Sequence, residues 1–324
     1  MSAGNAHYVV VDRHGHRVWS QHGGAATFHR DLLWGPERTL DFIHRQRGGH
    51  AAFWMNSVWW QAVALLDLHE RRLFVHTERE IAGYPRTGLR EIRAWLEIMA
   101  ALWPGWTVTW APRGLYQIME YLGLPYDTVL YLDEPPSPLT GQWAQAPTED
   151  DDLTRVASAL ITVRDQDGRL SFRGCWASGL AEPLLSGPAT LASHQEEALE
   201  FAVLESIPWS GAFLDVPARR LDWWSLDCLL DPAWLAPQWS GWTLTDHGDA
   251  FEEVAALIGP ELLLDAGTDD GTLRRVADWF ARHTADSHDR ERLLRIRPVE
   301  RTGALCRKSR NSVPDAGQAP CDEF

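Results

Sequence analysis

Ala64-Leu65-Leu66-Asp67, followed by Arg71-Arg72-Leu73, returns later in the chain as Ala212-Phe213-Leu214-Asp215, followed by Arg219-Arg220-Leu221. In each copy two apolar, strand-favouring segments flank a four-residue turn, which predicts a β-hairpin. This register places Asp67 opposite Arg72 and Asp215 opposite Arg220. We therefore expect one cross-strand ion pair in each copy, of a kind that contributes about 0.2–1 kcal/mol.

Two further signatures recur around this hairpin in the same order. Leu32-Leu33-Trp34-Gly35-Pro36 corresponds to Leu184-Leu185-Ser186-Gly187-Pro188, and Trp103-Pro104-Gly105-Trp106 corresponds to Trp239-Ser240-Gly241-Trp242. A repeat period above about 100 residues indicates two copies of a domain-sized unit rather than a solenoid of short repeats. Because strand pairs alternate with helical patterns in both copies, we predict an α+β fold. Its architecture is a tandem duplication of an antiparallel sheet-plus-helices unit, packed as an intrachain pseudo-dimer.

The domain boundaries follow from the repeat and from shifts in composition. We expect a first α+β unit at 7–133 and a second at 159–284, the latter ending in a C-terminal helix. Residues 134–158 are rich in proline and acidic residues and are predicted to be a linker. Residues 285–324 lack periodicity and are locally basic, which indicates a mostly disordered tail.

Composition restricts the partners of the protein. The formal net charge of −15 disfavours nucleic acids and anionic membranes and favours a basic protein partner. The four cysteines form no close pair, and no apolar run is long enough to span a membrane. With no signal-peptide pattern at the start, we expect a cytoplasmic protein that is a monomer with internal pseudo-twofold symmetry.

The 18 tryptophans fall into two groups of interest. Trp103, Trp106, Trp239 and Trp242 repeat together with a glycine, which favours a packing role in the core. The pairs Trp59-Trp60 and Trp223-Trp224 are adjacent on predicted strands. Since neighbouring strand residues point to opposite faces, one ring of each pair should leave the hydrophobic layer. These four residues are the predicted contact surface.

No catalytic signature emerges from the sequence. It contains no nucleophile elbow, phosphate-binding loop, dinucleotide fingerprint or zinc-ligand spacing, and it predicts neither cofactor nor metal. His14-x-His16 has a spacing compatible with a metal on a strand, but it falls on a turn with Gly15 and has no counterpart in the second unit.

These observations favour a non-enzymatic protein-binding module. Its most concrete form is an acidic antitoxin or immunity-type inhibitor of a basic partner protein. One alternative is an enzyme with a site in the cleft between the two units, built from His, Asp and Glu residues of the first unit. Another is a carbohydrate binder that uses exposed tryptophans.

Overall fold

The computed structural model describes residues 4–55, 60–77, 81, 88–112, 114–129, 159–175, 180–189, 191, 202–204, 207–226, 232–264 and 269–296. Two sheets and the helices packed on them form an α+β protein, as predicted. The predicted linker at 134–158 lies outside the described residues, as do 297–324 of the predicted tail.

The first sheet has the strand order β3-β2-β1-β4-β5-β6. Its strands are β1 (Asn5–Asp12), β2 (Gly15–Gln21), β3 (Arg47–His50), β4 (Trp60–Asp67), β5 (Arg72–Thr77) and β6 (Thr107–Trp110). The helices of this half are α1 (Phe28–Asp31), α2 (Pro36–Ile43), α3 (Leu89–Leu102) and α4 (Leu115–Leu122).

The second sheet has the order β12-β11-β10-β7-β8, and a separate parallel pair joins β9 to β13. The strands are β7 (Ala159–Arg164), β8 (Leu170–Cys175), β9 (Ala202–Leu204), β10 (Ser210–Asp215), β11 (Arg220–Ser225), β12 (Thr243–Asp246) and β13 (Leu262–Leu264). The helices are α5 (Ala181–Leu185), α6 (Pro232–Leu235), α7 (Phe251–Ile258), α8 (Asp269–Arg282) and α9 (Ser287–Leu294).

Both sheets are mixed, so the prediction of antiparallel units is wrong. The hairpins are antiparallel, but β1 pairs with β4, β5 with β6, β7 with β10 and β11 with β12 in parallel. The reason lies in the connections between hairpins. A tight turn reverses the chain, whereas a longer connection can return it to the starting edge and so allow parallel pairing.

The two sheets share one topology. The run β2-β1-β4-β5-β6 of the first matches β8-β7-β10-β11-β12 of the second in order and in the direction of every pairing. Only the first sheet has a further edge strand, β3, within the described parts of the chain.

The central hairpins have the predicted register. Asp67 lies opposite Arg72 and Asp215 lies opposite Arg220. Both turns end with an arginine in the left-handed region: the φ angles of Arg71 and Arg219 are 50° and 49°. The same strained residue therefore closes both turns, which the repeated sequence alone does not reveal.

The predicted ion pairs across these hairpins do not form. Asp67 accepts hydrogen bonds from the Tyr121 hydroxyl at 2.6 Å and from two N–H groups of its own turn. Asp215 pairs with Arg164 of β7 at 2.7 Å and also accepts the Ala218 N–H. Both carboxylates are buried and make these closer contacts instead of reaching across the strand. Their role is to fix the turn to neighbouring elements.

The repeated tryptophan signatures make the same contact in both halves. The indole N–H of Trp103 donates to Leu32 O at 2.8 Å, and that of Trp239 donates to Leu184 O at 2.6 Å. Both acceptors belong to the repeated Leu-Leu-x-Gly-Pro signature. Trp103 and Trp239 are fully buried, which agrees with their predicted core role.

The second tryptophan of each signature packs edge-on against the first. The ring centroids of Trp103 and Trp106 are 5.1 Å apart, and those of Trp239 and Trp242 are 4.9 Å apart. Trp106 and Trp242 are partly buried and cover the core from outside. The intervening glycines have φ near +80°, a conformation that L-residues with a side chain rarely adopt.

The main hydrophobic core joins non-equivalent faces of the two sheets. From the first sheet it takes the face that carries Leu66, whereas from the second it takes the face of Phe213 and Trp224. Leu214, the equivalent of Leu66, lies on the opposite face in a separate core. A pseudo-twofold axis requires the same face from both units. The predicted pseudo-twofold symmetry is therefore wrong, because the two sheets contribute different faces to the shared core.

The C-terminal helices bind back onto the first half of the protein. Helix α8 packs against α3, and α9 packs against α8. Asp286 caps α9 by accepting the N–H groups of His288 and Asp289, and Asp289 pairs with Arg38 of α2 at 2.5 Å. The prediction of a mostly disordered tail is thus wrong for residues 286–296. None of the described helices is long and apolar enough to span a bilayer.

Candidate functional site

Three of the four tryptophans predicted to form a contact surface are buried. Trp60 is 8% exposed, and Trp223 and Trp224 are fully buried, while Trp59 lies outside the described residues. Trp223 and Trp224 do point to opposite faces, as expected for neighbours on a strand. The prediction fails because hydrophobic cores cover both faces of the second sheet.

Burial of Trp60, Trp223 and Trp224 also takes these rings out of any carbohydrate-binding platform. A sugar-binding platform needs exposed aromatic rings. Among the described side chains, Leu294 is the large hydrophobic one that is exposed. No described tryptophan side chain is fully exposed.

A charged network lies instead at the exposed end of the second sheet. Asp222 of β11 lies 2.9 Å from His247 Nε2, and Glu253 of α7 lies 2.9 Å from His247 Nδ1. Arg220 donates to the second oxygen of Asp222 at 3.0 Å. The histidine is therefore held between two carboxylates.

Strand pairing brings these residues together. Asp222 is the third residue of β11 and shares a sheet face with Phe213, its partner on β10. His247 directly follows β12, and its N–H bonds to Trp223 O at 2.9 Å, which extends the β11–β12 pairing. Helix α7 then begins at Phe251 and brings Glu253 over the imidazole. Four elements of the second half thus define the site.

The network favours the charged forms of its members. Hydrogen bonding to Asp222 raises the pKa of His247, with a smaller contribution from Glu253, against the opposing effect of burial. Burial acts to raise the pKa of Asp222, but the hydrogen bonds from His247 and Arg220 lower it below its usual value. Since carboxylates only accept, an imidazolium with two N–H donors matches this geometry.

A second cation supports the start of α7 from the other side. Arg93 of α3 is almost completely buried and lies 3.4 Å from Asp249 and 2.7 Å from Glu252. It also donates to the backbone oxygen of Asp249. The start of α7 is therefore anchored by Arg93 on one side and by His247 on the other.

The network is specific to the second half of the chain. By strand register, Phe74 of β5 occupies the place of Asp222. Ala111 occupies the place of His247, because its N–H bonds to Val75 O as that of His247 bonds to Trp223 O. The positions of Asp222 and His247 are thus occupied by apolar residues in the first sheet.

The geometry limits what His247 can do chemically. A histidine that acts as a general base needs a free ring nitrogen facing a nucleophile or substrate. Both nitrogens of His247 are occupied by carboxylates. The arrangement therefore serves to fix the position of Glu253 and to hold a positive charge below it.

The histidines of the first half do not assemble a site. His7, His29 and His76 are buried in separate aromatic surroundings, and burial lowers the pKa of each to about 4. His69 is exposed on a turn. In the described residues, no group of three or more His, Cys, Asp or Glu side chains is arranged to hold a metal ion. His7, His29 and His76 therefore do not lie together in one site.

Replacing His247 with glutamine should cost about 1–2 kcal/mol of unfolding free energy at pH 6, because hydrogen bonds to both carboxylates lose their charge. The folded-state pKa is raised, so this stabilisation is present below the pKa of the unfolded chain and is lost as pH rises through the folded value. Urea unfolding at pH 6 and pH 9 measures the difference. The exposed control His69→Gln should show no such pH-dependent loss, and an equal loss for His247→Gln at both pH values would contradict the charged clamp.

Sequence reasoning did not identify Asp222, His247, Glu253 or Arg93. One signal was available: where the repeated sequence signatures are aligned, Asp222 stands opposite Phe74 in the middle of an apolar strand. Comparison of the chain with family models, with curated proteins and with solved structures finds no match.

Proposed function

We propose that this protein is a non-enzymatic protein-binding module that captures a basic partner protein, in the manner of an acidic antitoxin or immunity-type inhibitor. The observation that carries the proposal is the pair Glu252 and Glu253, here called the acidic ridge. Their side chains are 53% and 49% exposed, so both face solvent while being held from below.

The acidic ridge is oriented before any partner arrives. Arg93 fixes Glu252, and His247 fixes Glu253. Immobilising a long side chain on binding costs about 0.5–1.5 kcal/mol, and this cost falls when the side chain is already held. A net charge of −15 adds long-range attraction for a basic protein. Together these features favour rapid capture of an arginine- or lysine-rich surface.

The enzyme alternative rests on one specific observation, the Asp222–His247–Glu253 chain. Acid–histidine pairs of this length occur in catalytic sites. Both ring nitrogens of His247 are occupied by carboxylates, and no described hydroxyl or thiol contacts its ring, which counts against catalysis at this position. Capture of a partner by the acidic ridge needs neither an unoccupied ring nitrogen nor a nucleophile.

We further infer that the chain is an internal duplication. The shared topology of the two sheets, the two left-handed arginines and the two Trp–Leu hydrogen bonds support this inference. In the duplicated framework, the second copy carries the acidic ridge and His247, while Arg93 comes from α3 of the first copy. The binding function would then belong to the second unit, with the first acting as its support.

The proposal predicts salt-dependent association. After the partner is identified by co-purification, the association rate should fall tenfold or more between about 0.1 and 1 M salt, as the screening length falls from about 10 to about 3 Å. The double variant Glu252→Gln and Glu253→Gln should slow association at low salt and flatten this dependence. Stopped-flow measurement of the association rate gives both quantities.

The matched control neutralises two exposed acids elsewhere, Glu37→Gln with Asp41→Asn on α2. It changes the net charge by the same amount and should have a much smaller effect. Equal slowing by both double variants would show that net charge, not the acidic ridge, drives capture. A salt-insensitive association rate, or turnover of a small molecule by the purified protein, would contradict the proposed function.

A further inference from the structure

A cavity of about 260 Å³ lies where the C-terminal helices meet α1 and α2. Its wall combines charged and apolar side chains, notably Arg30, Leu33, Trp34, Phe280, His283 and Asp289. This volume is below the roughly 300–1,000 Å³ of sites for drug-sized ligands. A ligand of about one ring would fill it.

The acidic groups of the cavity are already used within the protein. Asp289 pairs with Arg38 at 2.5 Å, and the guanidinium of Arg38 also lies over the Trp34 ring at 5.1 Å. Asp286 accepts the N–H groups of His288 and Asp289 as the cap of α9. These carboxylates are therefore committed to internal partners.

Two polar groups in the wall have no carboxylate partner among the described residues. The Arg30 guanidinium has no hydrogen bond or ion pair with any described residue, although Arg30 lines the cavity and is only partly exposed. His283 uses Nδ1 to bond Trp279 O at 2.7 Å, so that its Nε2 is the ring nitrogen left for another partner. Its ring stacks on Trp279 at 4.1 Å, which fixes its orientation. One guanidinium without an ion pair and one imidazole thus adjoin the same small space.

The remaining wall is apolar. Phe280 and Leu33 are fully or almost fully buried, and Trp34 is partly buried and faces the cavity. Binding sites for small molecules combine such apolar walls with a few polar groups that fix orientation. An apolar ring against Phe280 and Trp34, with an anionic group on Arg30, matches this distribution.

We propose that this cavity is a binding site for a small aromatic carboxylate, with the carboxylate on Arg30 and the ring against Phe280 and Trp34. The guanidinium is suited to a planar carboxylate because it can donate two parallel hydrogen bonds. The site is separate from the acidic ridge and does not depend on the proposed function. Since α1, α2, α8 and α9 all contribute to its wall, its occupation would hold the C-terminal helices against the first half.

Benzoate is the probe that tests the site. Calorimetric titration of the full chain should show benzoate binding, and benzamide, which has the same shape without the charge, should bind about tenfold or more weakly, as expected for loss of one charge-assisted contact. Acetate should also bind more weakly because it lacks the ring. Thermal unfolding should shift upward with benzoate concentration.

Variants separate the site from non-specific anion binding. Arg30→Gln should weaken benzoate binding about tenfold or more, whereas the exposed control Arg45→Gln should leave it within about twofold. Ala285→Phe should block binding by filling the cavity, and circular dichroism verifies that each variant is folded. Equal affinity for benzoate and benzamide, unchanged binding in Arg30→Gln, or no binding to the folded wild-type chain would each overturn the proposal.

Discussion

Lowering the pH from 7 to about 4.5 should unfold this protein, with unfolding free energy falling by up to about 4 kcal/mol per pH unit. The cause is the burial of His7, His29 and His76, which lowers the pKa of each from 6.5 to about 4. Between pH 6.5 and about 4, these histidines are protonated in the unfolded chain and neutral in the folded chain. A single group of this kind contributes about 1.4 kcal/mol per pH unit, and three act together.

The sign of this effect is opposite to that of His247. A lowered folded-state pKa means that stability is greatest above pH 6.5 and decreases as protons bind the unfolded state. Urea unfolding at half-unit steps from pH 7.5 to 4.5 measures the slope directly. Because global stabilities are about 5–15 kcal/mol, a loss of this size is enough to cross the unfolding midpoint.

His29 provides the sharpest single test of the mechanism. Its ring is buried, and both ring nitrogens lack hydrogen-bond partners among the described residues. His29→Leu should therefore reduce the pH slope by about one third and leave stability at pH 7 equal or higher, because an unsatisfied polar group is removed. The exposed control His69→Gln should leave the slope unchanged. A flat profile between pH 7 and 5 would mean that these histidines are protonated in the folded state.

Trp103→Ala and Trp239→Ala should each cost about 3–5 kcal/mol of unfolding free energy. Each change removes a fully buried indole and its N–H donor. Leu32 O then loses the hydrogen bond from Trp103, and Leu184 O keeps only the one from the Gly187 N–H. If the two halves are equivalent modules, the two costs should agree within about 1 kcal/mol. Chemical denaturation with both fluorescence and circular dichroism measures them.

Graded substitutions distinguish the lost volume from the lost hydrogen bond. Trp103→Phe keeps an aromatic ring and removes the donor, so it should cost less than Trp103→Ala. Trp106→Ala and Trp242→Ala remove rings that are only partly buried, and should also cost less. A cost below about 1 kcal/mol for Trp103→Ala would show that the surrounding core collapses into the space.

The hairpin registers and the core tryptophans could be predicted from sequence because they depend on local spacing. A four-residue turn fixes which residues face each other, and Asp67 opposite Arg72 follows from it. The partners of Asp67 and Asp215 could not be predicted, since Tyr121 and Arg164 come from elements distant in sequence. Two residues of opposite charge at facing positions of a hairpin do not form an ion pair when another donor lies closer to the carboxylate.

The acidic ridge and its cations could not be located for a related reason. Asp222, His247 and Glu253 meet only because β12 pairs in parallel with β11 and α7 crosses back over them. The sequence pattern indicated hairpins, and hairpins alone give antiparallel sheets. Similarly, the alternation that predicted exposed tryptophans is correct for Trp223 and Trp224, but a second core covers the face that was expected to be open.

The fold-back of the C-terminal helices has a consequence for how the protein is made. Phe280 and Leu293 belong to the same core as Phe28 and Trp95, so the core of the first sheet is completed by residues translated more than 170 positions later. During synthesis the amino-terminal half is therefore expected to expose an apolar face to solvent. That face is covered only when α8 and α9 have left the ribosome. The first half is therefore translated first, but its core is completed last. We do not expect either half to fold stably by itself.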